Sequence, residues 1–137
     1  MRLAAEALID GAAEGAVLKL AAPVSFWGGV DPATGKITAY PHPDHGALIA
    51  GKVLVLPGTI GSSASSAIML ELLHAGRAPA ALVLPETDAI LALGVVIARE
   101  MGYPTIPVLR APPAPFETGT HARIAPGGRI EVRSDQP

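Results

Sequence analysis

The sequence predicts an α/β fold with β/β/α layering, in which a central parallel βαβαβ unit is joined by a flanking β layer or small barrel. Three observations carry this prediction. Apolar runs of strand length alternate with two amphipathic stretches of helix length. Glycine and proline stop each stretch, and both flanks hold short apolar segments separated by Gly/Pro turns rather than helices.

Taken in order, residues 52–56 (KVLVL) read as a strand buried on both faces and closed by Pro57 and Gly58. A helix follows over 63–75, with Ala64, Ile68 and Leu72 on one stripe, Met69 and Leu73 beside it, and Glu71, His74 and Arg77 facing elsewhere. Gly76 stands where a terminating glycine would end that helix, and Pro79 prevents its resumption. Residues 81–84 give the next buried strand. Thr87 or Asp88 caps a second helix running to about Met101, ended by Gly102 and Pro104, and 105–109 give a third strand. Connections this short require right-handed crossovers and parallel pairing, because each helix must fold back onto the sheet.

Residues 16–20, 36–40, 121–125 and 129–132 read as flanking strands, with Gly127-Gly128 turning the last two into a hairpin. Residues 111–117 hold too many prolines for a helix or central strand and predict a rigid loop, and the tail after Val132 is expected to fray. A chain of 137 residues, half of them hydrophobic and without internal repeats, is expected to form one domain over 1–137 with its core at about 15–132.

Composition narrows the function. Ten Lys and Arg against twelve Asp and Glu, scattered along the chain, leave no footprint for nucleic acid. The longest apolar run, 89–98, falls far short of the roughly 20 residues a membrane span needs. Glu6, Asp10 and Glu14 interrupt the apolar stretch of a secretory signal, so a cytoplasmic location is expected. Without cysteine the chain offers no thiolate to zinc or to an iron–sulfur cluster, and any such cofactor must be held by another polypeptide. A charged fraction of only 16% with 14 prolines points to apolar surface covered by a partner.

Chemistry concentrates in Leu56-Pro-Gly-Thr-Ile-Gly-Ser-Ser-Ala-Ser-Ser66, which joins the C-terminal end of a parallel strand to a helix N-terminus, the place where open α/β sheets bind ligands. Gly58 and Gly61 allow positive φ and close backbone approach, helix-start amides suit an anion, and Ser62 and Ser63 project hydroxyls there. No lysine follows the second glycine, which argues against a triphosphate-binding loop. A serine here also suits the role of a base, because helix amides and the helix dipole stabilise an oxyanion, provided a partner group takes its proton. By residues alone the plainer reading stays open, in which Ser62 caps the helix and the glycines only turn the chain.

Three further segments stand out. In Tyr40-Pro-His-Pro-Asp-His45, His42, Asp44 and His45 hold metal-ligand chemistry, but the prolines give neither helical nor strand spacing, and histidines of this kind are more often surface-loop residues than ligands. Ser25-Phe-Trp-Gly-Gly-Val-Asp-Pro32 combines the only tryptophan with paired glycines and an Asp-Pro turn. Glu86-Thr87-Asp88 follows the next parallel strand, where capping explains Thr87 and Asp88 and leaves Glu86 as a second candidate.

Together, Gly28-Gly-Val-Asp-Pro32, Pro43-Asp-His-Gly46, Gly58-Thr-Ile-Gly-Ser-Ser63 and Glu86-Thr-Asp88, in that order, resemble the swivelling-domain subunit of aconitase X over about residues 15–132. The resemblance implies a β/β/α swivelling domain that works with a large aconitase X subunit, which carries most of the substrate site and the cysteines for an iron–sulfur cluster or iron. It implies Ser62 as the proton-abstracting serine, with Ser63 its neighbour and Gly58, Thr59, Gly61 and Ser63 around the substrate. The implied reaction is dehydration of a hydroxylated acid, inactive in either chain alone. Of the family's two activities, dehydration of cis-3-hydroxy-L-proline is favoured over that of mevalonate 5-phosphate. The phosphomevalonate branch carries arginine before the second loop glycine, where this chain has Ile60, and the Ala- and Arg-rich composition looks bacterial. Two rival readings are a non-catalytic anion-binding domain and a phosphocarrier domain with His42 or His45 as acceptor.

Overall fold

The computed structural model describes residues 1–60 and 63–134. Its main sheet is mixed and has eight strands: β1 (Arg2–Ala4), β2 (Glu6–Ile9), β3 (Ala13–Lys19), β6 (Val53–Val55), β7 (Ala81–Leu84), β8 (Val108–Arg110), β9 (His121–Ala125) and β10 (Arg129–Arg133). Their order across the sheet is β1-β10-β9-β3-β6-β7-β8-β2. The two outermost strands are consecutive in the chain with only Ala5 between them, so the sheet curls until its ends meet and nearly closes into a barrel. After a short helical turn, α1 (Phe26–Gly29), helices α2 (Ser65–Ala75) and α3 (Ala89–Glu100) lie outside the sheet.

The parallel centre follows from residue pattern. Val53, Val55, Ala81, Val83 and Leu109 pack inside the barrel with Val17, Ala122, Ile124, Ile130, Val132 and Phe116. Alternate residues Leu54, Leu56, Leu82, Leu84 and Val108 point the other way, under Ile68, Met69, Leu72, Leu91 and Val95 of the helices. These strands therefore read as unbroken apolar runs because both faces are buried, small and β-branched residues filling the narrow interior and leucines the helix layer. Strands β3, β6, β7 and β8 pair in parallel, with Val17 opposite Val53, Val53 opposite Ala81 and Leu82 opposite Val108.

Gly76, left-handed at φ 72°, ends α2, and Asp88 caps α3 as expected. Helix α2 begins at Ser65 rather than at 63, with Ala64 in the cap position. The third central strand begins at Val108 rather than at 105, because Pro104 and Pro107 have no N–H to offer a ladder.

The flanks depart further from expectation. Residues 36–40 do not join the main sheet: only β5 (Lys36–Ile37) is extended, paired with β4 (Val30–Asp31) in a two-stranded ribbon. Its turn is built by Asp31, whose carboxylate accepts from the Ala33 N–H and the Thr34 hydroxyl. Residues 2–9, read in the sequence only for the charges that break an apolar run, form β1 and β2, held by pairing to β10 and β8 near the other end of the chain. The hairpin at Gly127-Gly128 forms as expected, both glycines having positive φ. Strand β10 continues through Arg133, and the tail residues 135–137 lie outside the described residues. Phe116, within the proline-rich loop, is fully buried and plugs the barrel interior.

Candidate active site

The loop between β6 and α2 leaves the sheet at the C-terminal edge of its parallel strands. The expected base, Ser62, and Gly61 lie outside the described residues. Their neighbours frame them. Thr59 bridges in parallel to Val24, and the Ile60 N–H donates to the Val24 carbonyl at 3.3 Å. From the other side the Thr59 hydroxyl donates to Asp88 Oδ2 at 2.6 Å, while Asp88 Oδ1 accepts from the Ile90 and Leu91 N–H groups. Ser63 is exposed, and its carbonyl accepts from the Ser66 hydroxyl at 3.2 Å.

Gly58 does not need the left-handed backbone expected of it: its φ is not positive, and a Cβ there would meet nothing nearer than Pro23 Cγ at 3.8 Å. A cleft of about 620 Å³ separates the loops after β6 and β7, lined among others by Gly58, Thr59, Glu86, Thr87 and Asp88. Glu86 is exposed on its wall. From Val53 to Gly76 there is no lysine or arginine, so the loop's polarity comes from hydroxyls and peptide groups.

The strap 21–24 that borders Thr59 is held by the Pro-His-Pro-Asp segment. His42 is buried rather than a surface-loop residue. The Asp44 N–H donates to His42 Nδ1 at 2.9 Å, which makes Nδ1 the acceptor and Nε2 the donor, given to the Ala22 carbonyl at 2.9 Å. With that tautomer the 3.9 Å approach of Asp44 Oδ2 to Nδ1 is not an ion pair; Oδ2 instead accepts from the Ala21 N–H at 2.8 Å. Both ring nitrogens of His42 thus serve the backbone, which leaves neither for a metal or a phosphoryl group. His45 is exposed and meets the Tyr40 ring edge-on. Among the described residues no three His, Asp or Glu side chains gather to hold a metal ion. With no cysteine in the chain, an iron or iron–sulfur cluster does not fit the residues present.

The paired glycines join the same corner. A Cβ on Gly29 would sit 2.8 Å from Val24 Cγ2, and the Trp27 N–H donates to the buried Ser65 hydroxyl at 3.4 Å, tying the tryptophan loop to the first turn of α2. Four segments spread over 60 residues of sequence therefore meet through one path: Gly29 on Val24, Val24 on Thr59, Thr59 on Asp88, and His42 with Asp44 bracing 21–22. Residue reading alone missed the Thr59–Asp88 and His42–Ala22 links, for which the sequence holds no local signal.

Residues 2–133 match the aconitase X swivel domain family. The chain belongs to that family. Among its relatives, a cis-3-hydroxy-L-proline dehydratase of Pseudomonas aeruginosa is 39% identical over 132 residues, covering 95% of this chain and 23% of that protein. The swivel domain thus spans under a quarter of that relative's length. A phosphomevalonate dehydratase small subunit of Methanopyrus kandleri is 37% identical over 123 residues, 87% of either chain. The crystal structure of Thermococcus kodakaraensis aconitase X in its holo-form superposes with a TM-score of 0.87 at 33% identity, over 96% of this chain and 98% of that one. No helix among the described residues is long and apolar enough to cross a membrane.

Proposed function

We propose that this swivel domain is the small subunit of a two-chain hydro-lyase, in which Ser62, once its own proton has passed to a base, takes a carbon-bound proton from a hydroxylated acid, while the acid's hydroxyl departs and takes up that first proton to leave as water. The observation that carries the reading is the framing of the loop: its root is pinned at Thr59 from two sides, and its far end enters α2, whose dipole favours an oxyanion at the N-terminal end. The loop itself holds no charged base from Val53 to Leu70, and the Asp88 carboxylate is engaged by Thr59 and the α3 amides, so in this reading the proton of Ser62 passes to a group outside the loop, on the large subunit or at Glu86 across the cleft. Gly58, Thr59, Gly61 and Ser63 surround the substrate. Iron or an iron–sulfur cluster, in this reading, is held by the large subunit. Trp27 and Ile60, each 58% exposed beside the loop, supply apolar anchors for that subunit.

The substrate favoured is cis-3-hydroxy-L-proline. A phosphate ester would demand positive charge at the loop, whereas Ile60 is an exposed aliphatic and the nearest basic residues along the chain are Lys52 and Arg77. Mevalonate 5-phosphate is the second reading, supported by the likeness to the Methanopyrus small subunit. Co-expression with the large subunit and anaerobic assay on both substrates tests the proposal. Ser62→Ala is expected to lower kcat by roughly 100- to 10,000-fold; retained activity refutes the assignment.

A further inference from the structure

Asp88 does more than capping requires. A serine, threonine or asparagine at an N-cap satisfies the first-turn amides about as well as aspartate does. Here Oδ1 alone performs that task, accepting from Ile90 and Leu91 at 3.0 and 3.1 Å. Oδ2 is left to reach across the cleft, over 29 residues of sequence, to the Thr59 hydroxyl at 2.6 Å, a length characteristic of hydroxyl-to-carboxylate bonds. Thr59 stands three residues before Ser62 in the chain and, among the described residues, is also held by the strap at Val24.

The far end of the loop is referred to the same helix. Gly94 of α3 lies so close to α2 that a Cβ there would be 2.6 Å from the Ser66 carbonyl oxygen and 2.9 Å from Met69 Cβ. Helix α3 therefore sets both ends of the loop, the root through Asp88 and Thr59 and the exit through backbone packing on the first turns of α2. The two described ends of the loop, at Thr59 and Ser66, are thus referred to one helix, the kind of support that holds a site built on a loop in register.

We propose that Asp88 is a positioning residue for the dehydration, acting through the Thr59 hydroxyl to hold the loop that carries Ser62. The proposal rests on the reading of Ser62 as the base. It assigns Thr59 a positioning role through its hydroxyl proton, alongside any contact its backbone makes with substrate.

The test uses the complex with the large subunit, assayed on cis-3-hydroxy-L-proline and mevalonate 5-phosphate, with kcat and KM measured separately. Thr59→Val removes the hydroxyl and leaves the cap intact, Asp88→Ser keeps the cap but is too short to reach Thr59, and Thr59→Ser restores the hydroxyl. Thr59→Val and Asp88→Ser are each expected to lower kcat roughly 10- to 100-fold with little change in KM. The double variant should be no slower than the slower single, since both remove one interaction, and Thr59→Ser should regain most of the kcat that Thr59→Val loses. Thermal melting of the same variants should shift little. Unchanged kcat in Thr59→Val, additive losses in the double variant, or a Thr59→Ser as slow as Thr59→Val would overturn the tether. Ser62→Ala run in parallel separates the two ideas: if it stays active both fall, and if it is inactive while Thr59→Val is normal, only the tether falls.

Discussion

Gly94→Ala offers a sharp test of the helix layer, because its sign opposes the ordinary expectation. In an exposed helix interior, glycine to alanine stabilises by about 1 kcal/mol. At position 94 the new methyl would lie 2.6 Å from the Ser66 carbonyl oxygen and 2.9 Å from Met69 Cβ, with Met69 Cγ at 3.2 Å. Two of these neighbours are backbone or a Cβ, which cannot rotate away, so α2 and α3 must part by several tenths of an ångström. Overpacking of this kind costs about 1–3 kcal/mol, and the rigidity of the neighbours puts this case at the upper end. Set against the propensity gain, the net loss is about 1–2 kcal/mol, and for a chain of this size that lowers Tm by roughly 4–8 °C. Thermal melts of wild type and variant measure it. A Tm unchanged or raised would mean that the helices are not in close contact at this point. Because Ser66 belongs to the first turn of α2, the same variant should also lower kcat in the assembled enzyme.

Phe116→Ala empties the barrel plug and should cost about 3–5 kcal/mol, read by urea unfolding; a loss below about 1 kcal/mol would mean that the barrel recloses without it. His42→Phe keeps a ring of similar size but leaves the Ala22 carbonyl and Asp44 N–H without their partner, at a cost of about 1–3 kcal/mol, and faster amide exchange over 21–24 would show the strap loosened. The Glu14 carboxyl is held below its ordinary value chiefly by the hydrogen bond from His121, with charge attraction from His121, Arg123 and Arg133 adding to it. A depressed carboxyl contributes stability above its unfolded value and loses it as pH falls through the folded one, so Glu14→Gln should flatten the acid limb of the stability curve. At neutral pH the change should be small, since the pair is solvent-exposed, and an unaltered acid limb would remove Glu14 from the account.

Much of this protein is set by local chemistry and is legible in its residues. The parallel centre shows itself because Val53–Val55 and Ala81–Leu84 are apolar at every position, which only a strand buried on both faces sustains. Gly76 and Gly102 end helices because a left-handed residue costs glycine little, and Asp88 begins one because its carboxylate reaches the amides of Ile90 and Leu91 in the first turn. The order of the four glycine-, serine- and acid-bearing segments was enough to indicate the family.

What tertiary structure alone decided depends on contacts between distant residues. Leu3 and Ala7 are too few, and their strands too short, to announce β1 and β2; those form because the backbones of β10 and β8 are there to pair with, Arg2 falling opposite Glu131 and Glu6 opposite Arg110, which closes the barrel. Phe116 looked like part of a proline loop until the barrel supplied a cavity for it. His42 reads from its neighbours as a surface-loop histidine sooner than a ligand, and only the fold buries it and gives both its nitrogens to Ala22 and Asp44. Asp88 was legible as a cap from its own neighbours, but its second oxygen finds Thr59 only once β6 and β7 lie side by side, so the sequence by itself determined the loop and its serine, and the packing of two parallel strands decided what holds that loop in place.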